Sequence, residues 1–149
     1  MNEFSKSEPG RARAQTDLYG CLASRQWAEA VAGGADPDAA MDDLTDEDWL
    51  EAMRAHPRIG ERGGADSARE QSRAMQASDA TLSELAAENR RYEEKFGHVF
   101  LIFASGRGAE EILSELRRRM NNDPTAELGE AKRELRKIAH LRLERLRAS

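Results

Sequence analysis

His56 is the residue of this sequence whose type and surroundings most suggest proton-transfer chemistry. It stands directly before Pro57, and the run from Pro57 to Asp66 contains three glycines, which predicts a loop. An imidazole changes charge near neutral pH, so it can act as a general base or acid where a loop exposes it. A lone histidine is more often structural, and no metal-ligand spacing joins His56 to His98 or His140. The chemistry of His56 therefore depends on what surrounds it.

A second group of polar residues follows the glycine-rich loop. Ser67-x-x-Glu70 has the spacing of a helix capping box, in which each side chain bonds the backbone N–H of the other residue. Gln71 comes next, and a helix start also points backbone N–H groups outward, where they suit a polar or anionic ligand. The structural and the functional interpretations of Ser67 and Glu70 are compatible, and both stay open.

Two polar residues interrupt apolar helix stripes. The last predicted helix has an inward stripe of Leu128, Ala131, Leu135, Ile138 and Arg142. Because an unpaired buried charge is costly, Arg142 would pair with an internal carboxylate, extend outward near the helix end, or bind a substrate carboxylate through its planar fork. Asn89 interrupts the stripe of residues 82–96 in the same way, and a satisfied core or capping amide is its simpler interpretation.

The elements that would hold these residues are predicted to be helical throughout. Residues 1–15 are polar and patternless, which predicts a flexible N-terminal arm, and residues 16–149 predict a single all-α, multi-helix domain. Predicted helices cover residues 17–32 (one short helix or a broken pair), Pro37 onward, 45–55, 67–76, 79–96, 109–121 and 124–146. Val99 to Ala104 is a short apolar run that periodicity cannot assign. We favour a helix or helical turn there, because a lone strand would have no partner.

The composition narrows the class of protein. Hydrophobic residues make up 39% and charged residues 34% of the 149, and valine and isoleucine are scarce, which argues against a sheet-rich fold. The net charge of −5 provides no basic field for a nucleic-acid backbone. One cysteine, Cys21, cannot form an internal disulfide. No apolar run has transmembrane length and no secretory pattern follows Met1, so we expect no membrane partner and a cytoplasmic location.

Several motifs stand in a fixed order along the chain. They are His56-Pro57-Arg58-Ile59-Gly60-Glu61, Ser67-x-x-Glu70-Gln71, Asn89-x-x-Tyr92-x-x-Lys95-Phe96-Gly97, Phe100-Leu101-Ile102-Phe103-Ala104 and Lys137-Ile138-Ala139-His140-Leu141-Arg142-Leu143. In that order and rough spacing, the sequence resembles the 2-oxo-4-hydroxy-4-carboxy-5-ureidoimidazoline (OHCU) decarboxylase family over about residues 15–147.

The resemblance implies an all-α enzyme without cofactor or metal, commonly a homodimer, that performs the last step from urate to (S)-allantoin. The family's catalytic histidine falls on His56, and Glu70 would orient it or the ring N–H groups of the substrate. The implied substrate-binding positions are Pro57, Ser67, Gln71, Phe100, Leu101, Ile102, Phe103, Ala104 and Arg142.

The sequence also departs from the commonest family pattern. Arg58-Ile59 replaces Asp-Leu after the proline, and His98-Val99 replaces Phe-Pro before Phe100. These changes fall around the pocket rather than on the catalytic set, and they leave room for an enzyme acting on another small ureide or carboxylated heterocycle. The remaining alternative is a non-catalytic helical module, which predicts that Asn89 and Arg142 are internally paired.

Overall fold

Helices are the regular secondary structure of this protein. The computed structural model describes residues 8–59 and 69–148. Its helices are α1 (Glu8–Cys21), α2 (Arg25–Ala32), α3 (Pro37–Asp42), α4 (Asp46–Arg54), the 3₁₀ turn Ala74–Gln76, α5 (Asp79–Phe96), α6 (Ala109–Arg119) and α7 (Pro124–Ala148). The predicted all-α class is confirmed. No helix in these described ranges is both long and apolar enough to cross a membrane.

Side-chain caps set where α3 and α4 begin. The Asp36 carboxylate accepts the backbone N–H of Ala39 at 3.0 Å, with proline in the first turn of α3. Thr45 and Asp48 form a capping box, in which each side chain accepts the other residue's backbone N–H, at 3.2 and 3.0 Å. Local sequence therefore fixes the entry to α4, the helix that leads to His56.

The ends of α4 and α5 also follow local rules. α4 ends at Arg54 with Ala55 as its C-cap, because the residue before Pro57 avoids the helical region. Ser78 caps α5 by accepting the backbone N–H of Thr81 at 3.2 Å. Gly97 ends α5 in the left-handed region with a φ of 80°, a conformation that glycine adopts without steric cost.

The N-terminal region differs from the prediction. α1 begins at Glu8, so residues 8–15 are helical rather than an arm, and Ala14 is buried. Arginine, glutamine and alanine are good helix formers, so the polarity of this stretch does not prevent a helix. Residues 1–7 lie outside the described part of the chain.

Residue contacts divide the chain into two units. The first unit comprises residues 1–55 and 138–149, and the second comprises residues 56–137. Within the first unit, the indole N–H of Trp27 donates to the carbonyl of Pro37 at 3.0 Å. His140 and Asp38 are also hydrogen-bonded, with 2.8 Å between Nε2 and Oδ1. These bonds join α2 to α3, and α3 to the C-terminal half of α7.

The second unit is built around one apolar cluster. Its members are Ile59, Ala74, Leu85, Tyr92, Phe100, Ile102, Ala104, Ala109, Ile112, Leu113 and Leu116. They come from the loop after α4, the 3₁₀ turn, α5, the segment before α6, and α6 itself. Burial of this much apolar surface is the main source of stability for the unit.

The run from Val99 to Ala104 is not helical, contrary to the prediction. Phe100, Leu101, Ile102 and Ala104 are all buried, whereas an amphipathic helix would expose part of such a run. Side chains of α6 and α7 supply hydrogen bonds to its backbone. Those partners are distant in sequence, so local periodicity could not reveal them.

The predicted short helix over 67–76 is only partly tested. Residues 69–70 are helical, a turn follows, and Ala74–Gln76 form the 3₁₀ turn. Ser67 lies outside the described residues, so the proposed capping box of Ser67 and Glu70 stays a prediction.

Candidate active site

The His56-Pro57 turn opens the second unit. Both residues are half-buried and follow the C-cap of α4 directly. Because proline fixes its own φ and restricts the residue before it, the backbone that carries the imidazole is stiff. The structure therefore places His56 at a rigid loop entry, where the sequence predicted it.

Two bonds to α5 hold the residues after this turn. The Arg58 guanidinium binds Glu93 through both carboxylate oxygens, with Nε–Oε2 at 2.6 Å and Nη2–Oε1 at 3.0 Å. The buried Asn89 amide donates to the carbonyl of Ile59 at 3.2 Å. Asn89 is thus a satisfied core amide, as predicted, and it fixes the start of the loop.

Glu70 and Gln71 are both buried, although their side chains are polar. Glu70 is 7% exposed and Gln71 is 6% exposed. Polar side chains are rarely buried to this degree without hydrogen-bond partners or a functional role. Just beyond them, Arg73 donates through Nη1 to the carbonyl of Gly106 at 2.6 Å. This bond ties the Glu70–Gln71 segment to the turn that follows Ala104.

The segment from Phe100 to Ala104 has a side-chain anchor on each side of Ile102. The Leu101 carbonyl accepts from Nη1 of Arg119 at 2.7 Å. The Phe103 N–H donates to Oε1 of Glu134 at 3.0 Å. This non-helical backbone is therefore fixed by side chains of α6 and α7.

Residues in or close to the described site segments of the second unit belong to its apolar core. Ile59, Ala74 and the residues Phe100, Ile102 and Ala104 belong to the same apolar cluster. Ile59 lies three residues after His56, and Ala74 lies three residues after Gln71. The segments that carry the imidazole, the buried carboxylate and amide, and the anchored backbone therefore each contain, or lie within four residues of, a member of one core. Such a set can orient a small polar molecule and move a proton on it.

Behind this segment is a buried polar network that the sequence analysis missed. Arg119 is 2% exposed and Glu127 is fully buried. Arg119 Nε lies 3.1 and 2.9 Å from the two Glu127 oxygens, and a third bond runs from its Nη2. The hydroxyl of Tyr92 also donates to Glu127. Arg119 stacks over the Phe100 ring at 4.5 Å, so the network touches the site segment directly.

The electrostatics of this network follow from its burial. Burial, and then the hydrogen bond to Glu127, raise the pKa of Tyr92 far above its ordinary value. Burial acts to lower the pKa of Arg119, but its hydrogen bonds and charge pairing with Glu127 raise that pKa overall. Tyr92 is therefore a neutral donor and Arg119 a permanent cation.

The spacing of buried residues along α6 and α7 is the feature of the sequence that could have indicated this network. The inward stripe of α7 was predicted to include Leu128, but the adjacent Glu127 is the buried residue. In α6, Arg119 is buried next to Met120, which is partly buried and packs against the apolar cluster. Arg119 lies three residues after the buried Leu116, and Glu127 lies four residues before the buried Ala131. Helical spacing alone therefore allowed Arg119 to lie inward beside Met120, and it allowed either Glu127 or Leu128 to face inward, where polarity selected the wrong residue.

Arg142 belongs to the first unit. Its side chain is half-buried, and Nη1 donates to the carbonyl of Gly20 at 3.3 Å. The neighbouring Leu143 is 3% exposed, so the apolar seam of α7 continues through that residue. The role of Arg142 as an anion ligand stays a prediction. Within residues 8–59 and 69–148, no three His, Cys, Asp or Glu side chains are grouped as a metal site would require.

The comparisons with known proteins all point to one family. A model of the OHCU decarboxylase family matches residues 8–144. The chain is 44% identical over 108 residues to the uric acid degradation bifunctional protein TTL of Arabidopsis thaliana, covering 66% of this chain and 33% of that protein. It is 32% identical over 109 residues to the OHCU decarboxylase of Haloferax volcanii, covering 70% of this chain and 64% of that enzyme.

A solved structure agrees with the sequence matches. The crystal structure of an OHCU decarboxylase in the presence of (S)-allantoin matches with a TM-score of 0.78 and 35% identity, over 89% of this chain and 99% of that chain. By contrast, the chain spans only 33% and 64% of the plant and archaeal relatives. The fold correspondence therefore extends over almost the whole of the solved chain.

Proposed function

The chain belongs to the OHCU decarboxylase family, and we propose that it converts 2-oxo-4-hydroxy-4-carboxy-5-ureidoimidazoline to (S)-allantoin and CO₂ in urate breakdown. One observation carries the proposal beyond family membership. Phe100, Ile102 and Ala104 belong to a single apolar cluster in the second unit, and His56-Pro57 and Glu70-Gln71 lie within four residues along the chain of its members Ile59 and Ala74. These are the segments whose order and spacing resemble the family's site.

The substrate supplies its own electron sink. One ring carbon of OHCU carries both the carboxylate and a hydroxyl, and it lies next to a C=N bond. When the bond to the carboxylate breaks, CO₂ leaves and the electron pair flows into that C=N bond. The ring nitrogen of that C=N bond takes up a proton from water. The hydroxyl proton is then lost to form the ring carbonyl of allantoin, and a proton is added to the ureido-bearing carbon, so that one proton is taken up overall. The protein must hold the substrate and direct these proton transfers.

His56 is the proposed proton carrier. An ordinary histidine pKa near 6.5 suits a general base towards the hydroxyl, and the protonated ring can later act as an acid. Glu70 orients His56 or a ring N–H group of the substrate. General acid–base help of this kind contributes about 10²–10⁴ in rate. Positioning supplies the remainder, and delivery of the proton to one face sets the chirality.

The other predicted residues bind the substrate in this proposal. Pro57 forms part of the wall beside the imidazole, and Gln71 and Ser67 pair with the ureido amide edge. Backbone groups of Phe100–Ala104 bind the ring carbonyl and N–H groups, and Arg142 binds an anionic or carbonyl oxygen. Its planar, permanently charged fork suits a carboxylate. We further propose that the enzyme is a cytoplasmic homodimer that needs no cofactor.

A coupled assay tests this function. OHCU is generated freshly from urate with urate oxidase and hydroxyisourate hydrolase, and the purified chain is then added. The proposal predicts faster loss of the OHCU absorbance and a circular dichroism signal of one allantoin enantiomer. Racemic allantoin at the uncatalysed rate would contradict it.

A panel of other ureides and carboxylated heterocycles distinguishes the second candidate function, turnover of a different substrate, from OHCU decarboxylation. The departures at Arg58 and His98, near the predicted pocket wall, motivate this panel. Turnover of another member with no turnover of OHCU would assign the chain to a different reaction on the same fold.

A further inference from the structure

We propose that Arg119 and Glu134 are positioning residues that aim both backbone groups of Ile102 at the amide edge of the substrate. This inference rests on the proposed function, because it concerns how the Phe100–Ala104 segment binds OHCU. It assigns a task to two charged side chains that the site prediction did not include. Neither side chain needs to touch the substrate.

Because the peptide bond is planar, the bonds to Arg119 and Glu134 determine where the N–H and C=O of Ile102 point. A trans peptide is planar, so its C=O and the following N–H point in opposite directions. The peptide bonds of the described residues are all trans. Arg119 binds the Leu101 carbonyl, so the Ile102 N–H points away from Arg119. Glu134 binds the Phe103 N–H, so the Ile102 carbonyl points away from Glu134.

Neither group of Ile102 is used by the fold itself. Among the described residues, none donates to the Ile102 carbonyl or accepts its N–H. Backbone groups in a buried segment are almost always paired, by the protein, by water or by a ligand. Ile102 itself is only 3% exposed. A donor and an acceptor on one buried residue therefore remain for a bound molecule.

The anchors are fixed firmly enough to hold that direction. Arg119 is locked by its bonds to Glu127 and its stacking over Phe100. Glu134 has a side chain that is only 13% exposed, and its second oxygen binds Nζ of Lys137 at 2.6 Å. Arg119 is therefore held by its other bonds and Glu134 by its burial, as a positioning group requires, whereas the bond to the largely exposed Lys137 adds little.

The charges of the anchors also strengthen the two groups that they aim. A cation on the Leu101 carbonyl polarises that peptide and makes the Ile102 N–H a better donor. A carboxylate on the Phe103 N–H makes the Ile102 carbonyl a better acceptor, since hydrogen bonds in a chain polarise one another. Such a pair complements a ligand in which an N–H lies beside a C=O. Ureido and cyclic amide groups have this pattern, and OHCU contains both.

Variants of Glu134 test the proposal directly. Glu134→Ala removes the anchor, whereas Glu134→Gln keeps an oxygen that can accept the Phe103 N–H. Lys137→Ala is the matched control, because it removes the partner of the other Glu134 oxygen on the same helix. We expect Glu134→Ala to raise KM for OHCU about five- to tenfold, the value of one hydrogen bond, with kcat within about threefold. Glu134→Gln and Lys137→Ala should stay within about twofold of wild type in KM.

A binding measurement on the wild-type chain supplies an independent readout. Titration with (S)-allantoin should shift the backbone amide signal of Ile102 in ¹⁵N–¹H spectra, and the Kd should rise about five- to tenfold in Glu134→Ala. If Glu134→Ala does not fold, the wild-type titration still decides, because an unmoved Ile102 amide overturns the proposal. Equal KM values for Glu134→Ala and Lys137→Ala in an active enzyme would also overturn it, without affecting the proposed function. Absence of wild-type turnover would instead overturn the function.

Discussion

The substitution Glu127→Ala should be among the most destabilising changes in this protein. It removes the carboxylate that pairs with Arg119 and accepts the hydroxyl of Tyr92. Both partners are almost fully buried, at 2% and 0% exposure. The substitution would therefore leave a guanidinium and a phenol without their acceptor, in a place that water does not reach.

The expected magnitude follows from this burial. Removing one member of a buried ion pair costs about 3–5 kcal/mol in the free energy of unfolding. A domain of this size has a total of about 5–15 kcal/mol. At about 2–4 °C per kcal/mol, the melting temperature should fall by about 6–20 °C. Glu127→Gln keeps one acceptor oxygen and should cost less.

Urea denaturation followed by far-ultraviolet circular dichroism measures this cost. The matched control is Glu130→Ala, one turn further along α7, which removes the Glu130–Arg118 pair. Arg118 is 51% exposed in its side chain, and exposed pairs contribute only about 0–1 kcal/mol. If Glu127→Ala destabilises the chain no more than Glu130→Ala does, the buried network does not stabilise the second unit as described.

Further substitutions test other parts of the structure. Burial and the bond to a buried carboxylate raise the pKa of Tyr92, so its contribution to stability is fully present below the unfolded pKa near 10 and is lost as pH rises beyond it. Tyr92→Phe should therefore flatten the fall in the free energy of unfolding above about pH 10. Parallel pH profiles of the wild type and the variant would contradict this. Gly97→Ala should cost about 1 kcal/mol in the free energy of unfolding, because φ at Gly97 is 80°. Gly129→Ala should stabilise the protein by about 0.5–1 kcal/mol, because Gly129 lies inside a helix and an added Cβ would meet only an arginine nitrogen at 3.6 Å. Changes in melting temperature of the same sign for both variants would refute the backbone argument. Asn89→Ala should cost about 1–3 kcal/mol and lower kcat/KM, since it releases the loop after His56, and unchanged turnover would show that this anchor does not position the site.

Local signals in the sequence predicted much of the helical framework. The caps at Asp36 and Thr45, the proline after His56 and the glycine at position 97 each act within a few residues, so their consequences can be read directly from the sequence. The satisfied amide of Asn89 was also predicted, because a polar residue on an apolar stripe needs a partner. Its partner, the carbonyl of Ile59, lies 30 residues away and could not be named.

The failures share a physical cause, which is dependence on distant partners. The backbone of the Val99–Ala104 run accepts a hydrogen bond from Arg119 and donates one to Glu134, so its own periodicity carried no information about its conformation. The buried Glu127 was missed because helical spacing could not choose between it and Leu128. In the predicted site, the burial of Glu70 and Gln71 agrees with a functional role, but the sequence could not show what fixes them.

A comparison of His56→Ala with wild type tests the central claim most directly. His140→Ala is the control, because that histidine is largely exposed and bonds Asp38 in the first unit. All three proteins receive freshly generated OHCU, and the rate and the circular dichroism of the allantoin are recorded together. We predict that His56→Ala loses about 10²–10⁴ in rate and yields allantoin without enantiomeric excess, while His140→Ala matches wild type. Full rate and full stereoselectivity in a folded His56→Ala protein would contradict the assignment of His56 as the acid–base residue.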